Sequence, residues 1–326
     1  MDTQLLQPTN ENIMRCAAKL NGGGLVAFPT ETVYALGAVA TDSAAVKRLY
    51  DVKKRPSDNP LIVAVSKKSA IDGVAKNIPQ KARVLIEKFM PGALTLLLDK
   101  ADCIPDVVTA GSSTVAVRIP NNPIALKLID LVRKPVVVPS ANTSSKPSPT
   151  LASHVADDLK GKIDYILDGG ESEIGIESTI VDTRTEPPTV HRVGGVTLDK
   201  LKAAIGDVVV KRDGKKSIKY VPQADILFSA FYDNMSENIC RKYDELAARG
   251  RKTVVLCLNG NKKKYGDRAV FTVGKDYSEY AHNLFARLRK ADAERYDAVI
   301  AEGVEPKGIG ESLVNRLIKI SGGQII

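Results

Sequence analysis

The chain contains no tryptophan, and aromatic residues make up only 5% of its 326 residues. Proteins that bind single-stranded nucleic acid stack bases on aromatics interleaved with basic residues, so that signature is missing. Cysteine is scarce and scattered: Cys16, Cys103, Cys240 and Cys257 form no C-x-x-C pair. In a chain this long they read as reduced, mostly buried thiols. The histidines His154, His191 and His282 are equally isolated, without H-x-x-x-H spacing, which argues against a protein-held transition metal. No apolar run approaches the roughly 20 residues that span a bilayer. Residues 1–21 lack a basic-then-apolar signal pattern. The expectation is a cytoplasmic protein with no membrane partner. Neither a G-x-x-x-x-G-K-[ST] phosphate loop nor a G-x-S-x-G nucleophile elbow is present, and Gly308-Ile309-Gly310 is a bare G-x-G.

What is present is ordinary for a globular protein: 44% hydrophobic and 26% charged residues. The length favours two domains. A formal net charge of +9 suits an anionic ligand such as a nucleotide or RNA, although a merely basic surface carries the same charge.

Periodicity and turn residues give alternating strands and helices. Asn10 is placed as the cap of a helix over 11–20 that stops at Gly22-Gly23-Gly24, and a buried strand over 25–28 ends at Pro29. Ser43 is placed as the cap of a helix carrying Val46, Leu49 and Tyr50 on one face. Further strands are expected at 61–65, 94–98, 114–118, 136–138, 165–167 and 179–181. A helix from Pro79 runs through Phe89, and Thr197 caps one to Ile205. This reads as an α/β domain over 1–210. The basic, apolar-poor stretch at 211–222 reads as a linker. Residues 223–326 resume a β-α-β pattern and read as a smaller, Rossmann-like parallel sheet.

Five clusters offer chemistry. Pro29-Thr30-Glu31-Thr32-Val33-Tyr34 follows a strand directly, where ligands gather in open α/β sheets. Lys53-Lys54-Arg55-Pro56 precedes Asn59-Pro60-Leu61; cations at a helix end complement its dipole, and a guanidinium held by Pro56 grips phosphate well. Alternation in 114–118 puts Thr114, Ala116 and Arg118 on one face, and an arginine on an apolar strand is costly unless paired. Its partner is either a carboxylate ligand or a buried Asp or Glu. The loop from Pro139 to Thr150 is rich in hydroxyls that donate to phosphate oxygens. Gly175-Ile176-Glu177-Ser178-Thr179 and Arg192-Val193-Gly194-Gly195 complete the set.

Taken in order, PTETVY, K-x-RP-x-x-NPL, TVAVRIP, PSANTS-x-KPSPT, DGG and GIEST-I-VD resemble the YrdC-like threonylcarbamoyl-AMP synthases, in the longer form with an extra C-terminal domain. LFARLRKAD at 284–292 and GIGESLVNRLIK at 308–319 are similar to that second domain. The resemblance implies an N-terminal YrdC-like domain with a twisted open sheet. It also implies condensation of L-threonine, bicarbonate or CO2 and ATP into threonylcarbamoyl-AMP and pyrophosphate, with Mg2+ carried on ATP. A downstream tRNA threonylcarbamoyltransferase would take the product; contact of this chain with tRNA is not itself implied. By the same resemblance Thr32, Arg118, Val138 and Ser178 hold threonine, and Lys53 and Arg55 are the catalytic cations on the ATP phosphates. Asn59, Thr114, Ser140, Asn142, Ser148, Arg192 and Tyr220 line the nucleotide. The sequence departs from the pattern at Ala35 and Ser145, where glycine is usual, at Ala64, where many relatives have histidine near threonine, and across the linker. Two competing readings are an RNA-binding protein, favoured only by charge, and a related carbamoyl-transfer enzyme of hydrogenase maturation, which would bring zinc-finger cysteines.

Overall fold

The computed structural model describes residues 2–211 and 223–326. Residues 212–222, and with them the nucleotide contact expected of Tyr220, lie outside the described residues. The described residues group into two compact units, one of residues 2–144 and 148–211, the other of 223–326 together with 145–147. Their apolar cores are separate clusters.

Among the described residues the first unit contains one mixed sheet. Its order is Gln4–Leu6, Tyr165–Leu167, Val26–Phe28, Ala35–Val39, Val136–Val137, Ile62–Ala64, Thr114–Arg118, Leu94–Lys100, Thr179–Asp182, Thr189–Arg192 and Val209–Val210, with Ala75–Lys76 paired to Leu94–Lys100. The centre is antiparallel where Val136–Val137 lies between Ala35–Val39 and Ile62–Ala64, and parallel where Ile62–Ala64 meets Thr114–Arg118. The central strands are buried on both faces, as a sheet covered by helices requires. The strand at Ala35–Val39 and the helices Pro123–Val132 and Ala152–Leu159 add to the elements expected from sequence.

Two helix caps sit one residue earlier than the sequence placed them. Thr9, not Asn10, caps Asn10–Asn21 by accepting the Asn12 N–H. Asp42, not Ser43, caps Ser43–Lys53; one carboxylate oxygen accepts from the N–H groups of Ala44 and Ala45, each at 3.0 Å, two orphan donors satisfied by one side chain. That helix ends at Lys54, in the left-handed conformation (φ 50°), and the Arg55 N–H closes on the Tyr50 carbonyl at 2.9 Å. The tight exit leaves Lys53 in the last helical turn and Arg55 beyond it.

The second unit has four parallel strands in the order Asp225–Phe228, Ala298–Ala301, Thr253–Cys257, Val270–Thr272. The last strand in sequence therefore sits between the first two. Just beyond it Glu302 is buried, and its carboxylate accepts from Leu258 N at 2.8 Å, Asn261 Nδ2 at 3.2 Å and the Tyr265 hydroxyl. Three donors satisfy this carboxylate, so the polar cluster braces the loop after Thr253–Cys257. Burial and the Glu302 carboxylate hold the Tyr265 phenol protonated, well above its ordinary range. Among the described residues no helix is long and apolar enough to cross a membrane.

Candidate active site

The two loops that the sequence singles out by their hydroxyls are bound to one another through the backbone. Val26–Phe28 runs into Pro29, and the chain returns antiparallel as Ala35–Val39. Tyr34 N donates to Pro149 O, Leu36 N to Pro139 O and Ala141 N to Tyr34 O, each at 2.8 Å, and Ala35 bridges Ser140. The PTETVY turn and the 139–150 loop are thus consecutive rungs of one ladder. Loop 172–175 pins the turn from its other side: Ile174 N donates to Glu31 O at 2.7 Å and Gly175 N to Thr32 O at 3.0 Å.

Arg118, at the end of Thr114–Arg118, is only 6% exposed. Its Nη2 donates to Thr32 Oγ1 at 2.8 Å and its Nε to the Gly92 carbonyl at 3.3 Å. The same Nη2 lies 2.8 Å from Glu31 Oε1, an ion pair without hydrogen-bond geometry. Of the two partners open to this arginine from sequence, the buried acid is therefore present. Thr32 is fully buried, and its hydroxyl also meets Thr30 Oγ1 at 2.9 Å. Ala64 stands beside Arg118 in the register of the neighbouring strand, with no polar side chain to offer there.

Lys53 is 2% exposed, and its ammonium turns inward. It donates to the Asn142 carbonyl at 2.6 Å and to the Ser140 carbonyl, while its own carbonyl accepts from Ser144 N at 2.7 Å. Lys53 thereby grips the hydroxyl-rich loop by its backbone. Burial first, and then the Arg55 guanidinium, push its pKa down to about 7 against the opposing pull of Asp158. Arg55 folds back onto the segment after it: Nε donates to Asn59 O at 3.0 Å, and Nη2 to Asn59 Oδ1 at 2.6 Å and Pro60 O at 2.8 Å. Burial lowers its pKa also, opposed by Tyr50, whose hydroxyl shares the Asn59 carbonyl.

Ser178 and Arg192 meet directly. Arg192 Nη2 donates to Ser178 Oγ at 3.0 Å and Nε to Ser178 O at 2.8 Å. The serine hydroxyl also lies 2.8 Å from Thr95 Oγ1. The approach depends on Gly194, where a Cβ would lie 2.2 Å from the Glu177 carbonyl oxygen. Ser148 donates to Glu177 Oε1 at 3.0 Å. Val138 is held through its N–H to Ile62 O at 2.8 Å. Thr114 stands at the far end of the Arg118 strand, roughly 13 Å away at ~3.3 Å per residue, with its hydroxyl 2.8 Å from Ser112 Oγ.

The structure thus brings together Thr32 with Arg118, Lys53 with Ser140 and Asn142, Arg55 with Asn59, and Ser178 with Arg192. It adds Glu31, Thr95 and Glu177 as contacts that carry no individual role in the sequence reading. Thr95 is a single hydroxyl in the run Leu94-Thr95-Leu96-Leu97-Leu98, and an isolated hydroxyl among leucines is the one signal that marks it. Glu31 was visible only as a charged residue in a turn destined for burial.

Comparison with known proteins identifies the family. The model of the Sua5, YciO and YrdC family, described as telomere recombination, matches residues 18–194. A second, described as threonylcarbamoyl-AMP synthase, C-terminal domain, matches residues 191–322. The threonylcarbamoyl-AMP synthase of Pyrococcus abyssi is 43% identical, over 95% of this chain and 94% of its own. That of Bacillus subtilis is 39% identical, over 99% and 97% respectively. The crystal structure of P. abyssi Sua5 complexed with L-threonine superimposes with a TM-score of 0.94 at 40% identity, covering 99% of each chain. Two domain models in sequence and full-length likeness in fold leave one assignment: the chain belongs to the Sua5/YciO/YrdC family, in its two-domain form.

Proposed function

We propose that the chain is a threonylcarbamoyl-AMP synthase, a nucleotidyltransferase that condenses L-threonine, bicarbonate or CO2 and ATP. The observation that carries this reading is the pairing of a sheltered arginine–hydroxyl site, Arg118 with Thr32, to a second loop gripped by Lys53, through shared backbone hydrogen bonds. The first suits the carboxylate of an amino acid, because a guanidinium binds carboxylate with fixed geometry. The second offers hydroxyls and amides to phosphate oxygens.

In this reading the threonine amine takes up CO2 to form a carbamate. A carbamate oxygen then bonds to the α-phosphorus of ATP as the bond to the β-phosphate oxygen breaks, releasing pyrophosphate. Both reactants are anions, so Arg55 and Lys53 lower the cost of bringing them together. ATP enters as its magnesium complex. Fixed positioning supplies much of the remaining acceleration. Thr32, Arg118, Val138 and Ser178 take threonine, and Asn59, Thr114, Ser140, Asn142, Ser148, Arg192 and Tyr220 line the nucleotide. Residues 1–210 form the catalytic domain, 211–222 the linker and 223–326 a second domain without chemistry. The enzyme works in the cytoplasm and passes its product to a tRNA threonylcarbamoyltransferase.

The test is pyrophosphate release by purified protein. Release should require threonine and bicarbonate together; equal ATP turnover without threonine would overturn the assignment.

A further inference from the structure

Glu31 is 4% exposed, and neither carboxylate oxygen accepts a hydrogen bond among the described residues. Oε1 has the Arg118 guanidinium 2.8 Å away, and Oε2 has no hydrogen-bond donor among the described residues. Buried carboxylates normally collect two or three donors, and one left without them costs several kcal/mol. Glu302 in the second unit shows the ordinary case, with three donors on its carboxylate. The backbone that carries Glu31 is itself held, because Ile174 N donates to the Glu31 carbonyl and Gly175 N to the Thr32 carbonyl.

We propose that Glu31 is the acceptor for the substrate amine, and that it makes the site selective for an α-amino acid over a plain carboxylic acid. The proposal rests on the function given above. Charge balance supports it. Arg118 and Glu31 together are neutral. A ligand bearing only a carboxylate would leave a net negative charge in a buried site, whereas a zwitterion adds none. The geometry fits as well. In an α-amino acid the ammonium and carboxylate are attached to one carbon, and here a guanidinium and a carboxylate that lacks hydrogen-bond donors lie side by side to receive them. A metal ion would gain little from one carboxylate already facing a guanidinium. Once the amine has taken up CO2 and released its other protons to solvent, the carbamate nitrogen keeps one N–H, which can still donate to Glu31 while the new carboxylate faces the phosphates.

The experiment compares binding of L-threonine and of 3-hydroxybutanoate, which is threonine without its amine, to the full chain by calorimetry. The wild-type protein should prefer threonine by about 30-fold or more, the range expected when one partner of a sheltered charge pair is removed. Glu31→Gln should reduce that preference to a few-fold and leave 3-hydroxybutanoate binding undiminished, since Arg118 then meets less competition. Glu31→Asp, which keeps the charge and shortens the reach by one methylene, should fall between and covers the case in which the glutamine variant does not fold. Equal weakening of both ligands by Glu31→Gln would reduce Glu31 to a prop for Arg118 and overturn the proposal. So would an undiminished threonine preference in either variant. A wild-type chain that binds no threonine would overturn the proposed function itself. Threonine-dependent pyrophosphate release in the wild type, with its preference unchanged in the variants, would overturn only the role of Glu31.

Discussion

The Lys53 ammonium donates to the Asn142 carbonyl at 2.6 Å, so the lysine assigned to phosphate holds the loop that would surround that phosphate. Its proton is loosely kept, because burial and Arg55 bring the pKa from its ordinary 10.5 down to about 7. At pH 8 the free protein carries Lys53 mostly neutral, and the arrival of polyphosphate favours the ammonium. ATP binding at pH 8 should therefore take up close to one proton. Calorimetry in two buffers of different ionisation enthalpy reads this directly, and Lys53→Met should abolish it. Folding follows the same sign. The unfolded lysine holds its proton up to its ordinary pKa while the folded one releases it near 7, so stability should rise with pH across that window.

Arg118→Ala should cost about 2–5 kcal/mol of threonine affinity. ATP affinity should hold within about 1 kcal/mol, because the contacts of Arg118 are to Thr32, Glu31 and the Gly92 carbonyl and to none of the residues that line the nucleotide. Calorimetry with each ligand separately checks this, and equal losses would remove Arg118 from the threonine site.

A chain ending near Val210 should fold, because the clusters that pack the first unit draw on residues up to Val210 and not on the second unit. It should also retain some threonine-dependent pyrophosphate release. A folded fragment that binds both substrates without turnover would show that the segment beyond Val210 completes the site, for instance by excluding water from a reactive intermediate.

Tyr265→Phe removes the hydroxyl donor on the buried Glu302 carboxylate and should destabilise the second unit by about 1–3 kcal/mol. Urea unfolding followed by a probe in each unit should show the loss in the second alone, with pyrophosphate release unchanged.

The sequence made much of this molecule legible for identifiable reasons. Thr114–Arg118 alternates β-branched and apolar residues up to its arginine, with a proline two residues on, and Val26–Phe28 is an apolar run closed directly by Pro29; both are strands. Lys53 was readable in the last turn of its helix because the apolar face of Val46, Leu49 and Tyr50 marks where the helix lies. Ala35–Val39 was not readable: Ala-Leu-Gly-Ala-Val has weak strand preference, and the segment is a strand because Val26–Phe28 and Val136–Val137 flank it. The helix Pro123–Val132 did carry its signal, an Asn122 cap followed by proline in the first turn. The partner of Arg118 lay beyond sequence reasoning, because Glu31 and Arg118 are distant in the chain and only the order of strands makes them neighbours.

The shared ladder of Tyr34, Leu36, Pro139, Ala141 and Pro149 has a thermodynamic corollary. A ligand that steadies the PTETVY turn also steadies the backbone of the loop across from it, and the ordering entropy of that common segment is lost once, whichever ligand comes first. The two substrates should therefore bind synergistically, and linkage requires the effect to be mutual: threonine tightens ATP by the same factor as ATP tightens threonine. An enzyme wired in this way meets ATP at its full affinity only when the amino acid is already in place.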